Sequence, residues 1–413
     1  MDTHAGIREP GTTQRLHYLD WLRVLAIFFV FVFHAIHVFD FGGWQIKNPD
    51  QSELITIILT LLSLWGMPFF FLVAGAASWF ALQRRAPQQY LSERLKRLAI
   101  PYVVGTLLFS PLQYYLWWRN QVFLGKAGLT FAEFIRGELP PFDPALLHAP
   151  GFSPKWIGTG FHLWFIGFLF LYAVITLPLF RWLMTEAGLR ARTALGGLCQ
   201  RRGGITVFVL AFIVVELALR PFFPLEHDWA DFLFRMCFFI LGFVLYSSED
   251  IARAVRRDWW VLLALGTACV AALLGMYLAD LPVFEWGGDP STPWFYLIHS
   301  ATTIIAYSYS LVMLFVGMRF LNVTNRLLTY AQEAVLPFFM LHQPAIIVVA
   351  FFVVQWDAGI PLKLVTVLVS SFAVALGLYE LVIRRISFLR VVFGMHAGSD
   401  DRRRSSAAPT AGG

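Results

Sequence analysis

Ten apolar runs, each long enough to cross a bilayer as a helix, leave this chain few folds to choose from. They lie near residues 19–39, 54–82, 98–118, 162–180, 204–223, 230–246, 259–279, 293–318, 335–355 and 361–383. A lipid interior offers the backbone no hydrogen-bond partners, so spanning segments are helices or closed barrels, and runs of about 20 apolar residues mark the helical kind. The expected fold is all-α: a polytopic transmembrane helix bundle of about ten helices. Composition agrees, with 58% of residues hydrophobic and 14% charged, where a soluble protein carries about 25% charged. The first run is too long for the apolar region of a cleavable leader, and "HAIHVFDFGG" lacks a small-residue cleavage pattern. Cys199, Cys237 and Cys269 are too scattered for a disulfide framework or a thiolate metal site, and no metal is expected.

Lysine and arginine set the orientation. With the N-terminus inside, one side collects Arg84, Arg85, Arg94, Lys96 and Arg97, then Arg181 to Arg202, Arg253 to Arg257, Arg319, Arg326, Arg384, Arg385 and the "DRRRSS" tail. The other side holds Asp280, Glu285, Asp289 and Asp357. Both termini are therefore expected in the cytoplasm, with the protein multi-pass in the inner (plasma) membrane. The net charge of +6 is then a topology signal and implies no nucleic-acid partner. The expected organisation is a cytoplasmic segment 1–18, one membrane domain 19–395 with an outer loop 119–161, and a disordered cytoplasmic tail 396–413.

Polar residues inside such helices point to function, because an arginine at a helix centre costs about 2.5–3.5 kcal/mol on insertion scales. The first run carries Arg23 and His34. Eleven residues at about 100° make about three turns, so both share one face, roughly 16 Å apart. Arg23 alone could serve to snorkel towards lipid phosphates. His34 lies deeper, and a neutral histidine there can act as general base. His34 with His37 makes a poor metal pair, two ligands being too few on their own. In the second run Gly75 and Ser78 belong to a small-residue strip that admits a neighbouring helix or a thin substrate. Arg94 and Arg97, three residues apart, suit phosphate groups or plain anchoring. His162 beside Trp164 could line an acceptor site. Glu216 with Arg220, and Asp231 with Arg235, are spaced as ion pairs that either lock the bundle or line an outer vestibule. In the ninth run Pro344 should free backbone carbonyls beside His342. His299 reads as structural.

Taken in order, these motifs resemble the integral-membrane acyltransferases of the acyltransferase-three family. The family's Arg, ten residues, then His matches Arg23 and His34; its Phe-Phe-x-x-Ser-Gly is met by "FFLVAG", its Arg-x-x-Arg by Arg94 and Arg97, and its late His-x-Pro by "LHQP". The segments "GAASWFAL" and "HLWFIGFLFLY" look most like the glucan biosynthesis protein C branch, associated with succinylating periplasmic glucans. The family serine is Ala74 here, so any role for that hydroxyl is absent or passes to Ser78. The resemblance implies transfer of an acetyl or succinyl group from cytoplasmic acyl-CoA, a co-substrate rather than a bound cofactor, to a hydroxyl of an extracytoplasmic glycan or related acceptor. His34 would be the general base, or else itself accept the acyl group, direct general-base transfer being the simpler of the two, with Arg23, Arg94, Arg97, Gly75 and Ser78 along the donor. His162, Trp164, Glu216, Arg220, Arg235 and His342 would serve the substrates, with Arg220 or Arg235 for a succinyl carboxylate. The alternatives are a proton-coupled transporter or flippase of a glycolipid or small solute, and a non-catalytic membrane partner.

Overall fold

The computed structural model describes residues 16–126, 128, 130–138 and 154–395. The expected tail 396–413, most of the segment 1–18 and the middle of the outer loop lie outside the described residues. Ten helices make the bundle: α1 (His17–Ile36), α2 (Glu53–Arg84), α3 (Pro87–Phe123), α4 (Trp164–Ile175), α5 (Val209–Leu219), α6 (Trp229–Ser247), α7 (Glu249–Leu278), α8 (Pro293–Phe320), α9 (Arg326–Val353) and α10 (Ile360–Leu381). Among the described residues nine helical stretches are long and apolar enough to cross a membrane. The expected span 204–223 is the exception. It is helical only over Gly204–Leu219, opening with a 3-10 turn, Gly204–Phe208. Arg220 still has helical φ/ψ and bonds the Glu216 carbonyl at 2.8 Å, but Pro221 has no N–H to continue the ladder, and the helix ends early.

The expected small-residue strip on α2 is where α6 packs. A Cβ on Gly75 would lie 1.8 Å from the Phe239 carbonyl oxygen, and one on Gly242 would lie 1.9 Å from that of Leu72. Two backbones touch there, which only glycine permits. Helix α1 sits centrally, against α2, α8, α9 and α10, with Leu22, Ala26, Phe31 and Ala35 buried. Part of the expected outer loop is helix: α3 runs on to Phe123, and Phe131–Glu138 forms a short helix. Phe134 of that helix packs with Tyr114 and Phe161.

The loop from α1 to α2 covers the end of the bundle opposite the arginines, and buried lysines fasten it. The Lys47 ammonium donates to the His37 and Asp40 carbonyls at 2.6 and 2.8 Å and to the Asp40 carboxylate. Lys363 of α10 donates to Asn48 Oδ1 and the Val354 carbonyl, both at 3.0 Å. Burial alone would raise the Asp40 pKa, but hydrogen bonds from His37 and Lys47 outweigh it and hold the carboxyl below its ordinary range. A folded pKa below the unfolded one gives stability that is present above the ordinary value and lost as pH falls through the lower one. The thermal midpoint should therefore drop on acidification below about pH 4, and less steeply in Asp40→Asn. Superimposable acid profiles for the two proteins would contradict this.

Candidate active site

Three histidines from distant parts of the chain meet above the middle of the bundle. His34 Nδ1 lies 2.9 Å from His342 Nε2, with the rings nearly parallel. His342 Nδ1 lies 2.5 Å from the Phe339 carbonyl oxygen. A carbonyl only accepts, so His342 Nδ1 carries its proton and Nε2, in the neutral ring, accepts from His34 Nδ1–H. The chain of bonds leaves the lone pair on His34 Nε2, the nitrogen a general base needs. Trp44 lies against the His34 ring at 4.8 Å between centroids and 20° between planes, and His34 stays partly exposed.

Pro344 explains how the third histidine joins. Helix α9 continues through it, but proline has no N–H, so the carbonyl four residues back, on Met340, loses its helical partner. His162 Nε2 donates to that carbonyl at 3.2 Å. The turn that aims His162 inward puts Phe161 at φ 50°, ψ −129°, backbone that a non-glycine residue adopts only under constraint. Packing of the Phe161 ring on Tyr114, 4.5 Å between centroids, supplies the constraint. The His162 and His342 rings meet edge to face at 4.8 Å. His37 turns away to Asp40 Oδ1 at 2.6 Å. Among the described residues no group of three or more His, Cys, Asp or Glu is placed to hold a metal ion.

Below the histidines a cavity of about 560 Å³ opens at the arginine-rich end. Arg23, Arg84, Arg85, Arg94 and Arg97 line it, with Asp20 and Glu93. Five cations less two anions leaves +3 at the mouth. Ala74, Ala77 and Ala81 of α2, three and four residues apart on one face, line a wall. Phe70, Phe165 and Phe339 line it nearest the histidines, Phe165 touching the other two at 6.3 and 5.8 Å between centroids. Phe339 belongs to both halves: its ring meets the cavity, and its carbonyl holds His342.

A family model described as an acyltransferase domain matches residues 16–380. The chain belongs to the acyltransferase-three family. It is also similar to proteins named glucans biosynthesis protein C from Salmonella paratyphi A (strain ATCC 9150 / SARB42), Salmonella agona (strain SL483) and Salmonella enteritidis PT4 (strain P125109). Each is 20% identical over 389 residues, covering 92% of this chain and 94% of the relative. No solved structure matches.

In this acyltransferase the residues singled out in the sequence fall into three groups. His34, His342 and His162 come together, and Arg23, Arg94 and Arg97 share the cavity. Gly75 and Ser78, expected along the donor, do not line it. Gly75 faces α6. Ser78 is fully buried, donating to the Ala74 carbonyl at 3.2 Å and accepting from Tyr90 Oη at 3.0 Å and from the Arg94 guanidinium at 3.5 Å. The third group is a charge network. Arg220 donates to Glu216 at 2.7 Å and to Asp231 at 2.8 Å, Arg235 pairs with Asp231 at 2.9 Å, and His299 meets Glu216 at 3.2 Å. The Arg235 guanidinium lies over the Trp164 ring, 4.7 Å from its centroid. Two arginines and two carboxylates balance, and Arg220 is held by both acids. It thereby ties the end of α5 to α6. Sequence alone misses the meeting of the histidines, although Pro344 beside His342 points to a freed carbonyl in want of a donor.

Proposed function

We propose that this protein is an acyl-CoA-dependent O-acyltransferase, seated in the inner membrane with its arginine-rich end in the cytoplasm. The observation that carries the reading is Phe339, shared between an electropositive cavity and the histidine chain. The CoA phosphates sit among Arg23, Arg94 and Arg97, and the pantetheine arm follows the wall of Ala74, Ala77 and Ala81. The thioester then reaches the level of Phe339, the wall nearest the histidines, and the acceptor hydroxyl comes to it from the side of His34. His34 Nε2 takes the proton of an acceptor hydroxyl as its oxygen attacks the thioester carbonyl. The C–S bond breaks, an ester forms, and the proton passes from His34 to the departing CoA thiolate. No residue carries the acyl group between steps. The similarity to glucans biosynthesis protein C supports a glycan acceptor on the far side of the membrane.

Binding in nanodiscs of acetyl-, succinyl- and longer acyl-CoA tests the donor half. Arg23→Ala and Arg94→Ala should each weaken binding about tenfold, the loss of roughly 1.4 kcal/mol from a charge-assisted contact. An enzyme that binds no acyl-CoA would overturn the reading and direct attention to transport. His342 is a positioning residue. His342→Phe leaves His34 Nδ1–H without an acceptor and should lower kcat by about 10²-fold. His342→Gln, whose amide oxygen can accept that bond, should recover part of the rate with acyl-CoA affinity unchanged throughout.

A further inference from the structure

Beside the histidine chain lies a pair of buried amides that the donor reaction does not use. Gln113 of α3 is 0% exposed and Gln343 of α9 is 1% exposed. Gln343 Nε2 donates to Gln113 Oε1 at 3.2 Å. Gln113 Nε2 and Gln343 Oε1 then have no partner among the described residues. Exchanging N and O in both side chains changes nothing in the count, since one donor and one acceptor stay open either way. Buried polar atoms in folded proteins are almost always hydrogen-bonded, and a leucine pair would fill the same space without the cost of desolvation.

The position of the pair ties it to the acceptor side. Gln343 directly follows His342. Gln113 lies seven residues before Asn120, about two turns, and so on the same face of α3. Asn120 accepts from the Lys47 N–H at 2.9 Å and donates to the Lys47 carbonyl at 3.3 Å. That loop also brings Trp44 onto His34, and Trp44 Nε1 and Gln45 Oε1 are likewise buried without a partner. The loop and helices α3 and α9 thus carry two open donors, Gln113 Nε2–H and Trp44 Nε1–H, and two open acceptors, Gln343 Oε1 and Gln45 Oε1. None of them is on the cavity that opens among the arginines.

We propose that Gln113 and Gln343, with Trp44 Nε1, form the acceptor subsite, and that it selects a polyhydroxylated ring with neighbouring hydroxyls over a monohydric alcohol. A hydroxyl both donates and accepts, so a pair of neighbouring hydroxyls completes an open donor and an open acceptor together. A site built to bond a substrate hydroxyl rejects the analogue without it, because its own buried groups are left unpaired. The inference rests on the functional reading above and adds to it which residues choose the acceptor.

The experiment uses the full chain in nanodiscs at saturating acyl-CoA, with methyl glucoside, its 2-, 3- and 4-deoxy forms and propan-1-ol as acceptors. The glucoside should exceed propan-1-ol by about 10²-fold in kcat/KM, roughly tenfold for each of two hydroxyl contacts, and at least one deoxy form should lose about tenfold. The near-isosteric Gln113→Met and Gln343→Met should raise the glucoside KM about tenfold, with kcat and the propan-1-ol rate little changed. Turnover in which no deoxy form differs from its parent overturns the subsite, with no variant needed. So do well-folded variants that keep the wild-type ratio. Absence of turnover with every acyl-CoA and every acceptor overturns the functional reading itself.

Discussion

His34→Ala should bind acyl-CoA as tightly as the wild type and yet release CoA from it about 10²- to 10⁴-fold more slowly, the contribution expected of a positioned general base. The separation follows from geometry. The cavity takes its α1 lining from Leu16 to Ile27, so His34 stands about two turns beyond the last residue to touch it. Removing its imidazole leaves every arginine contact in place. Trp44 and His342 would both lose a neighbour, so the folded state needs a check by thermal unfolding. His34→Gln, which keeps a donor for His342 Nε2, serves as the structural control and should be nearly as slow, since an amide does not take up a proton at neutral pH. Equal CoA release by wild type and both variants would remove His34 from the chemistry. Loss of binding along with turnover would instead place the donor's thioester against the ring before the reaction starts.

Gly75→Ala should be among the most damaging single methyls at the described glycines. Its Cβ would sit 1.8 Å from the Phe239 carbonyl oxygen, far inside contact distance, and the obstacle is backbone on a helix that cannot swing aside. Helices α2 and α6 would have to separate along their whole contact. That places the cost at or above about 3 kcal/mol, the upper end for overpacking. Gly242→Ala meets the Leu72 carbonyl in the same way, at 1.9 Å, and should behave alike. Gly275→Ala gives the contrast: nothing lies within 4 Å of its Cβ, and on helix α7 it should gain up to about 1 kcal/mol from better helix propensity. Thermal midpoints in detergent of the three variants would reveal the difference. If Gly75→Ala were as stable as Gly275→Ala, the two glycines would not be a backbone contact.

Much of this was legible in the sequence because membrane helices announce themselves through length and apolarity, each within its own segment. Among the described residues nine stretches are long and apolar enough to span, and the shortfall at Gly204–Leu219 traces to one residue, Pro221, whose effect is local as well. The shared face of Arg23 and His34 was also readable, since an unbroken helix carries its periodicity along its length. What could not be read was which helix faces which. His342 lies 308 residues from His34 and nothing in either segment names the other; their pairing is a property of how α1 and α9 pack. The same holds for Arg220, whose expected partner Glu216 is four residues away but whose second partner, Asp231, comes from α6. Gly75 shows the converse. Small residues on a helix admit either a neighbour or a substrate, and composition does not say which. On α2 the answer differs between residues one apart, with Ala74 on the cavity and Gly75 on α6.

Donor and acceptor should meet across the membrane, with Phe339 marking the boundary between them. The most direct test reconstitutes the enzyme in proteoliposomes of a single orientation and supplies acyl-CoA only on the arginine-rich side, with methyl glucoside on both. Free CoA should accumulate on the side of supply while acylated glucoside appears on the opposite side, and His34→Ala should abolish both. Acylated glucoside on the same side as the CoA would contradict this.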